Sequence, residues 1–292
     1  MTAVRTTHPT RIELIDNSVP AGLAAELSGV RRLGVAFSGG VDSSVLLAAA
    51  VRTLGASNVL AILGVSPSLA ADERKAAHEV ARFVGAPVVE VQTYEGDRAD
   101  YRANTPDRCF HCKDELFARV GDEVVEVHRL DAVAYGENAD DAARPDRPGM
   151  RAATNHRVLR PLAAAGLHKA AVRQLAHAWG LPCADKPAAP CLASRIPHGS
   201  EVTPEKLAQI DAAESALRRL GLPDLRVRHH GDIARIELPV ADLSRAVAEP
   251  LRSQVRRAVQ AAGFRYAVLD LGGIQSGSFT LTLLEHHAGT RG

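Results

Sequence analysis

Ser38-Gly39-Gly40-Val41-Asp42-Ser43-Ser44 joins a short apolar run, Arg32–Phe37, to a helical pattern that continues from about Asp42 to Leu54. An apolar run of this length that ends in glycine predicts a buried strand, and the pattern after it predicts a helix. Two glycines let the main chain come close to a polyphosphate. The hydroxyls of Ser38, Ser43 and Ser44 are donors for phosphate oxygens, and the start of a helix adds unpaired amides and a favourable dipole. Asp42 is placed to orient the loop or to hold Mg²⁺ beside the phosphates. The spacing is not the GxxxxGK[ST] of P-loop kinases. The competing reading is a plain Gly-Ser turn after a strand, which the run of matching residues in this context disfavours.

The pattern repeats outward from this loop. Asn58–Val65, Pro87–Val91 and Ala132–Tyr135 read as further strands, and Ala70–Val84, Lys113–Val127 and His168–Trp179 as helices. Strands alternating with helices predict a parallel sheet covered on both faces, with right-handed crossovers, so the fold class is α/β. Such sheets bind ligands at the carboxyl ends of their strands. Tyr135-Gly136-Glu137-Asn138-Ala139-Asp140-Asp141 follows the fourth strand and therefore lies at the same edge as the glycine loop. Asn138, Asp140 and Asp141 are candidates to bind Mg²⁺ or to position an activated substrate, although acidic loops are usually just solvated. The stretch 137–160 is rich in Asn, Asp, Pro and Gly and reads as irregular, as does Pro182–Ser200.

The character changes near residue 200. Thr203–Leu220 predicts an amphipathic helix with Thr203 at its N-cap. Arg226–His229 and Ala234–Leu238 predict paired strands around Gly231-Asp232, followed by a helix over Pro250–Ala262 and a strand over Tyr266–Leu271. The expected division is therefore 1–199, the nucleotide-binding unit, and 200–292, a smaller α+β unit for substrate or oligomer contacts.

Composition narrows the function classes. Hydrophobic residues make up 46% of the 292 and charged residues 24%, a globular balance, and the net charge of +1 offers no field for nucleic acid or an anionic membrane. The first thirty residues lack the apolar stretch of a signal peptide, and the longest apolar run, Val45–Val51, is too short to span a bilayer. The expected location is the cytoplasm. The four cysteines, Cys109, Cys112, Cys183 and Cys191, then read as reduced thiols, metal ligands or catalytic groups rather than a disulfide framework. Cys109 and Cys112 form a CxxC, which is also half of a zinc site. Cys183 reads as a small buried residue, and His111 as a loop residue between the two thiols.

The glycine loop resembles the SGGxDS signature of the PP-loop ATP pyrophosphatases, which adenylate a substrate oxygen and release pyrophosphate. Taken together, SGGVDSS, NTPDRCFHCKDELF (Asn104–Phe117), GENADD, RPG at Arg147–Gly149, DKPAAPCLASRIPHG (Asp185–Gly199) and ARIEL (Ala234–Leu238) resemble the LarE family of sulfur transferases over nearly the whole chain. That resemblance implies a PP-loop domain with a smaller C-terminal α+β domain, ATP and Mg²⁺ as cofactors, and a homo-oligomer. It implies adenylation of a carboxylate of pyridinium-3,5-biscarboxylic acid mononucleotide, and conversion to a thiocarboxylate for the nickel-pincer nucleotide of lactate racemase.

The resemblance also assigns residues. Cys191 matches the sulfur-donating cysteine, with Arg195 to stabilise a thiolate or bind substrate phosphate and Ser194 to donate a hydrogen bond. Glu214 and Glu237 match glutamates that shape the site, with Arg226 or Arg228 nearby. Adenylation makes one carboxylate oxygen a leaving group, and attack by sulfur calls for a thiolate of low pKa. The family delivers sulfur in two ways. In one, a lone cysteine gives up its own sulfur and becomes dehydroalanine. In the other, three cysteines hold a [4Fe–4S] cluster carrying an extra sulfide, renewed by a sulfur source. The CxxC favours Cys109, Cys112 and Cys191 as cluster ligands here; a sacrificial Cys191 is the alternative.

The chain departs from the family pattern at Gln275, where a charged phosphate contact is usual, and at Ala184, where tryptophan is frequent. The main rival is a tRNA thiolase of the PP-loop class, which calls for a basic surface that this chain's charge does not supply. An ammonia-using synthetase is a second rival, and it would need no cysteine.

Overall fold

The computed structural model describes residues 18–144 and 148–274. Four parallel strands, β1 (Leu33–Ala36), β2 (Val59–Val65), β3 (Val88–Gln92) and β4 (Ala132–Tyr135), form the main sheet in the order β3-β2-β1-β4. The side-chain period of two divides β2 between two cores. Val59, Ala61, Leu63 and Val65 join one, and Leu60 and Ile62 the other. Burial on both faces explains why this strand is apolar without alternation.

Helices α1 (Ala21–Ser28), α2 (Val41–Leu54), α3 (Ala71–Val84), α4 (Ala99–Arg102), α5 (Arg108–Val120), α6 (Ala139–Ala142), α7 (Pro148–Asn155), α8 (Pro161–Ala164) and α9 (Lys169–Ala178) surround the sheet. α1, α3 and α9 pack on α2 over one face, while α5 packs with α7 over the other. In α3, Ala77, Val80 and Ala81 form the buried stripe, acidic Asp72 and Glu73 sit in the first turn, and Gly85 ends the helix in the left-handed region.

The second unit is α10 (Pro204–Arg219), β5 (Arg226–His230), β6 (Ile233–Glu237), α11 (Val240–Val247), α12 (Leu251–Ala261) and β7 (Tyr266–Leu269). β5 and β6 are antiparallel, and β7 joins β6 in parallel. Thr203 caps α10 by accepting from the Lys206 N–H at 3.4 Å, with Pro204 opening the helix. None of the helices among the described residues is long and apolar enough to cross a membrane.

The architecture is the α/β fold expected, with three corrections to its elements. α5 starts at Arg108, five residues before the expected Lys113, so Cys109 and Cys112 stand on a helix rather than in a connection. The Asp107 carbonyl accepts from the Phe110 N–H at 2.8 Å, and Asp107 is the N-cap residue of this helix. The stretch 137–160 holds α6 and α7, where Asn138 caps the first by accepting from the Asp141 N–H at 3.0 Å. α1 and α11, each eight residues long, were not anticipated.

Candidate active site

The strand order fixes where a ligand can enter. The chain runs from β1 outward to β2 and β3, then returns to the other side of β1 as β4. The loops after β1 and β4 therefore diverge at the sheet's carboxyl edge, the switch point where open α/β sheets bind ligands. The glycine loop follows β1 and the GEN loop follows β4.

These loops are in contact. A Cβ on Gly136 would lie 2.6 Å from the Ser43 nitrogen, so only glycine lets the second loop rest on the start of α2. Asn138 then reaches Asp42, its Nδ2 donating to Oδ1 at 3.3 Å and to Asp141 Oδ2 at 3.0 Å. Asp42 and Asp141 thus meet at one amide, with oxygens suited to a hard cation. Asp140 faces away from this point. Its carboxylate accepts from the Lys169 N–H at 2.7 Å and pairs with His168 Nδ1 at 2.7 Å, capping α9.

Inside the glycine loop, Gly39 has φ of 72°, and Gly40 is the extended N-cap of α2. Ser43 Oγ donates to the Gly40 carbonyl at 3.0 Å and lies 3.2 Å from Ser38 Oγ. Ser44 is fully buried and donates to the same carbonyl at 2.8 Å. Its hydroxyl holds the loop's shape, whereas Ser38 and the loop amides border open space.

That space is a cavity of about 480 Å³ that extends from Ser38, Gly40 and Asp42 to Cys191 and Arg226. Cys191 follows a run, Pro187–Pro190, that lines the wall. The loop bearing it is pinned from two sides. The Leu192 N–H donates to the Ser68 carbonyl at 2.9 Å. Arg195, buried, donates Nε and Nη2 to Glu214 at 2.9 and 3.2 Å, and Nη1 to Ser194 Oγ at 2.9 Å and to the Pro190 carbonyl at 2.6 Å. Glu214 also accepts from the Val227 N–H at 3.0 Å, and Arg218 pairs with it at 2.9 Å. Glu237 grips Arg228 in the same two-pronged way at 3.0 and 2.8 Å, and Arg228 Nη1 donates to the Ser194 carbonyl at 2.8 Å. Two ion pairs therefore fix the Cys191 loop, Arg195 with Glu214 and Arg228 with Glu237, each committed to its partner.

Two residues that the sequence reading did not single out join Cys191 to the CxxC. Asn104, fully buried with φ of 54°, donates Nδ2 to the carbonyls of Ile196, Pro197 and Ser200 at 3.2, 2.8 and 3.1 Å. Its Oδ1 accepts from Arg108 Nη1 at 2.5 Å, and the same nitrogen donates to the Ala193 carbonyl at 2.9 Å. Burial pushes the Cys191 thiol up, and the Arg108 cation is the largest influence opposing that. Arg108 outweighs Arg195 as its cationic neighbour. Burial, followed by the charges of Glu95 and the other two thiols, pushes Cys112 well up.

Arg108, next to Cys109, donates to the Ala193 carbonyl, and Cys112 packs against the cluster that holds Leu192 and Ala193, so the two segments bring these thiols into one neighbourhood. Among the described residues, no group of three or more His, Cys, Asp or Glu side chains is arranged to hold a single metal ion. Cys183 lies elsewhere, buried in the main core beside Trp179 and Ala184, which removes it from any zinc pairing with the CxxC. Gln275 lies outside the described residues.

The cavity also contains a lysine that no motif marks. Lys169 Nζ donates to Asp42 Oδ2 at 2.5 Å. Lys186, paired with Glu73 at 2.7 Å, lines the same cavity. One signal was available. Only five of the 35 basic residues are lysines, and two of those five face this one space.

Comparison with known proteins agrees with this geometry. The asparagine synthase family model matches residues 14–121, the segment that carries the glycine loop and the CxxC. Pyridinium-3,5-bisthiocarboxylic acid mononucleotide synthase of Lactiplantibacillus plantarum is 37% identical over 276 residues, covering 92% of this chain and 96% of the relative. The chain belongs to the LarE family. It is accordingly an ATP-dependent sulfurtransferase of the PP-loop class. An uncharacterised protein of Synechocystis sp. is 41% identical over 249 residues, covering 85% of this chain and 92% of its own. An uncharacterised protein of Methanocaldococcus jannaschii is 29% identical over 168 residues, covering 58% of this chain and 64% of its own.

Proposed function

We propose that this LarE family member adenylates a carboxylate of pyridinium-3,5-biscarboxylic acid mononucleotide and exchanges one of its oxygens for sulfur. The observation that carries this reading is the single cavity shared by the glycine loop and Cys191. ATP enters with its phosphates on Ser38, the amides of Gly39 and Gly40, and Ser43. The substrate carboxylate attacks the α-phosphorus, an O–P bond forms, and the α–β bridge breaks as pyrophosphate leaves. Sulfur then attacks the acyl carbon, a C–S bond forms, and AMP leaves with the electron pair of the broken C–O bond. Mg²⁺ fits beside Asp42 and Asp141, whose oxygens meet at Asn138, and would neutralise charge on the phosphates.

Cys109, Cys112 and Cys191 are the residues that would hold a [4Fe–4S] cluster. A four-iron cube spreads its thiolates wider than a single ion does, in keeping with three thiols that share a neighbourhood without converging on one point. Bound there, the cluster would supply an open iron carrying the sulfide to be transferred. Asn104 and Arg108 keep the two thiol-bearing segments in register. Association into a homo-oligomer and a division of the chain near residue 200 belong to the same reading.

A second reading has its own observation. Cys191 alone of the three thiols lines the cavity. A Cys191 that gives up its own sulfur would break its Cβ–Sγ bond, lose its α-proton and remain as dehydroalanine. Anaerobic protein given Mg-ATP, the mononucleotide and sulfide separates the two by mass. Thiolated nucleotide with an unchanged chain supports repeated transfer, and a chain lighter by hydrogen sulfide supports sacrifice. Cys191→Ala should still release pyrophosphate but form no thiolated product. Thiolation by that variant would sink both mechanisms.

A further inference from the structure

We propose that Lys169 and Arg173, one turn apart on α9, are the clamp for the β- and γ-phosphates of ATP and for the departing pyrophosphate. The inference rests on the reading above that ATP lies on the glycine loop.

Both residues line the cavity between that loop and Cys191. Residues four apart on a helix share a face, so α9 presents two cations to one space. Lys169 is already at the loop, its ammonium on Asp42 Oδ2 at 2.5 Å. An ammonium has three donors. Asp42 occupies one, and the others are available to phosphate oxygens without breaking the pair. Its backbone is fixed independently, because the Lys169 N–H donates to Asp140 at 2.7 Å. Arg173 donates Nη1 to the Ala184 carbonyl at 3.3 Å, which steadies its guanidinium at the cavity wall.

The charge balance agrees. Lys169, Arg173, Lys186 and Arg226 line the cavity against two carboxylates, Asp42 and Glu73. The surplus is positive where a magnesium-bound triphosphate carries negative charge. In a chain of net charge +1, that surplus is local rather than a property of the whole surface. A cation on the β- and γ-phosphates matters most as the α–β bridge breaks, because negative charge then builds on the pyrophosphate.

The test compares ligands that differ only in those phosphates. Calorimetric titration of the full chain with Mg-ATP, Mg-pyrophosphate and AMP would be made for the wild type, Lys169→Met, Arg173→Met and Lys169→Arg. The clamp predicts that Lys169→Met and Arg173→Met each weaken Mg-ATP and pyrophosphate about tenfold to a hundredfold. AMP, which has neither distal phosphate, should bind each variant within about twofold of the wild type. Lys169→Arg should recover most of the loss by keeping the charge. Equal weakening of AMP and ATP would show a damaged loop and overturn the clamp. So would unchanged ATP binding in both methionine variants. If the wild type binds neither ATP nor pyrophosphate, the ATP reading itself fails, and the clamp fails with it.

Discussion

Gly39 shows how narrow the chemistry of a single position can be. Its φ of 72° is in the left-handed region, and an added Cβ would lie 2.9 Å from the Cα of Ala77 in α3. Gly39→Ala should cost about 1–3 kcal/mol of stability in urea unfolding, and the shifted loop should lose ATP binding by calorimetry. Asp42 is different, because its loss should leave the fold intact and remove function. Asp42→Ala should abolish pyrophosphate release in a coupled assay while keeping the unfolding midpoint near that of the wild type. Retained release would mean that the carboxylate is not needed beside the phosphates. Both residues were legible in the sequence because the motif names them. Asn104 and Lys169 were not, since an asparagine after a short helix and a lysine at a helix start are common. Their meaning depends on carbonyls and a carboxylate that lie far away along the chain.

Among the elements, α5 and the Cys191 loop depend on one small knot of polar groups. The Asn104 amide nitrogen donates to three carbonyls of the loop, and its Oδ1 accepts from Arg108. At about 1 kcal/mol net for each buried hydrogen bond, Asn104→Ala should lose about 2–4 kcal/mol. Hydrogen exchange over residues 192–200 should accelerate more than exchange in the main sheet. Uniform acceleration would assign the knot to global stability alone. α3 is tied to β3 by a second cluster, in which Glu90 accepts from Arg74 and pairs with His78 at 2.7 Å. Arg74, followed by His78, holds the Glu90 carboxyl down to about 2. A carboxylate lowered in the folded chain stabilises it above the ordinary carboxylate range. That contribution is lost as pH falls from about 4.5 toward about 2. Glu90→Gln should therefore lower the urea midpoint at pH 7, and the gap from the wild type should narrow as pH drops toward 3. A gap independent of pH would point to packing rather than charge.

For the whole molecule, the two units share more than a linker. The second core collects Leu207, Ile210, Val227 and Phe264 from the C-terminal unit, and also Ala70, Tyr101, Leu192 and Ile196 from the N-terminal one. Polar ties run the same way. Arg218 reaches Asp72 at 3.2 Å, and Glu214 holds Arg195 within the Cys191 loop. A fragment of residues 200–292 should consequently show little cooperative unfolding by circular dichroism. A sharp transition would establish it as an independent unit. Glu214→Ala leaves a buried arginine without its carboxylate, and should cost about 3–5 kcal/mol in the intact chain. This interdependence anchors the thiol loop in the second core through Leu192, Ala193 and Ile196.

By itself the sequence determined the α/β class and the glycine loop at the carboxyl edge of the sheet. These depend on local facts: apolar periodicity, glycine where the chain must turn or approach closely, and residue types that perform one kind of chemistry. It also determined the paired strands near the C-terminus, because a short Gly-Asp turn between two strand-length segments is a local signal. Only the tertiary structure decided which groups meet. It committed Arg195 and Glu214 to each other, turned Asp140 to the start of α9, buried Ser44 in its own loop and brought Lys169 to Asp42. The physical reason is that a buried charge or donor must be satisfied wherever the fold offers a partner, and that partner is generally remote in sequence.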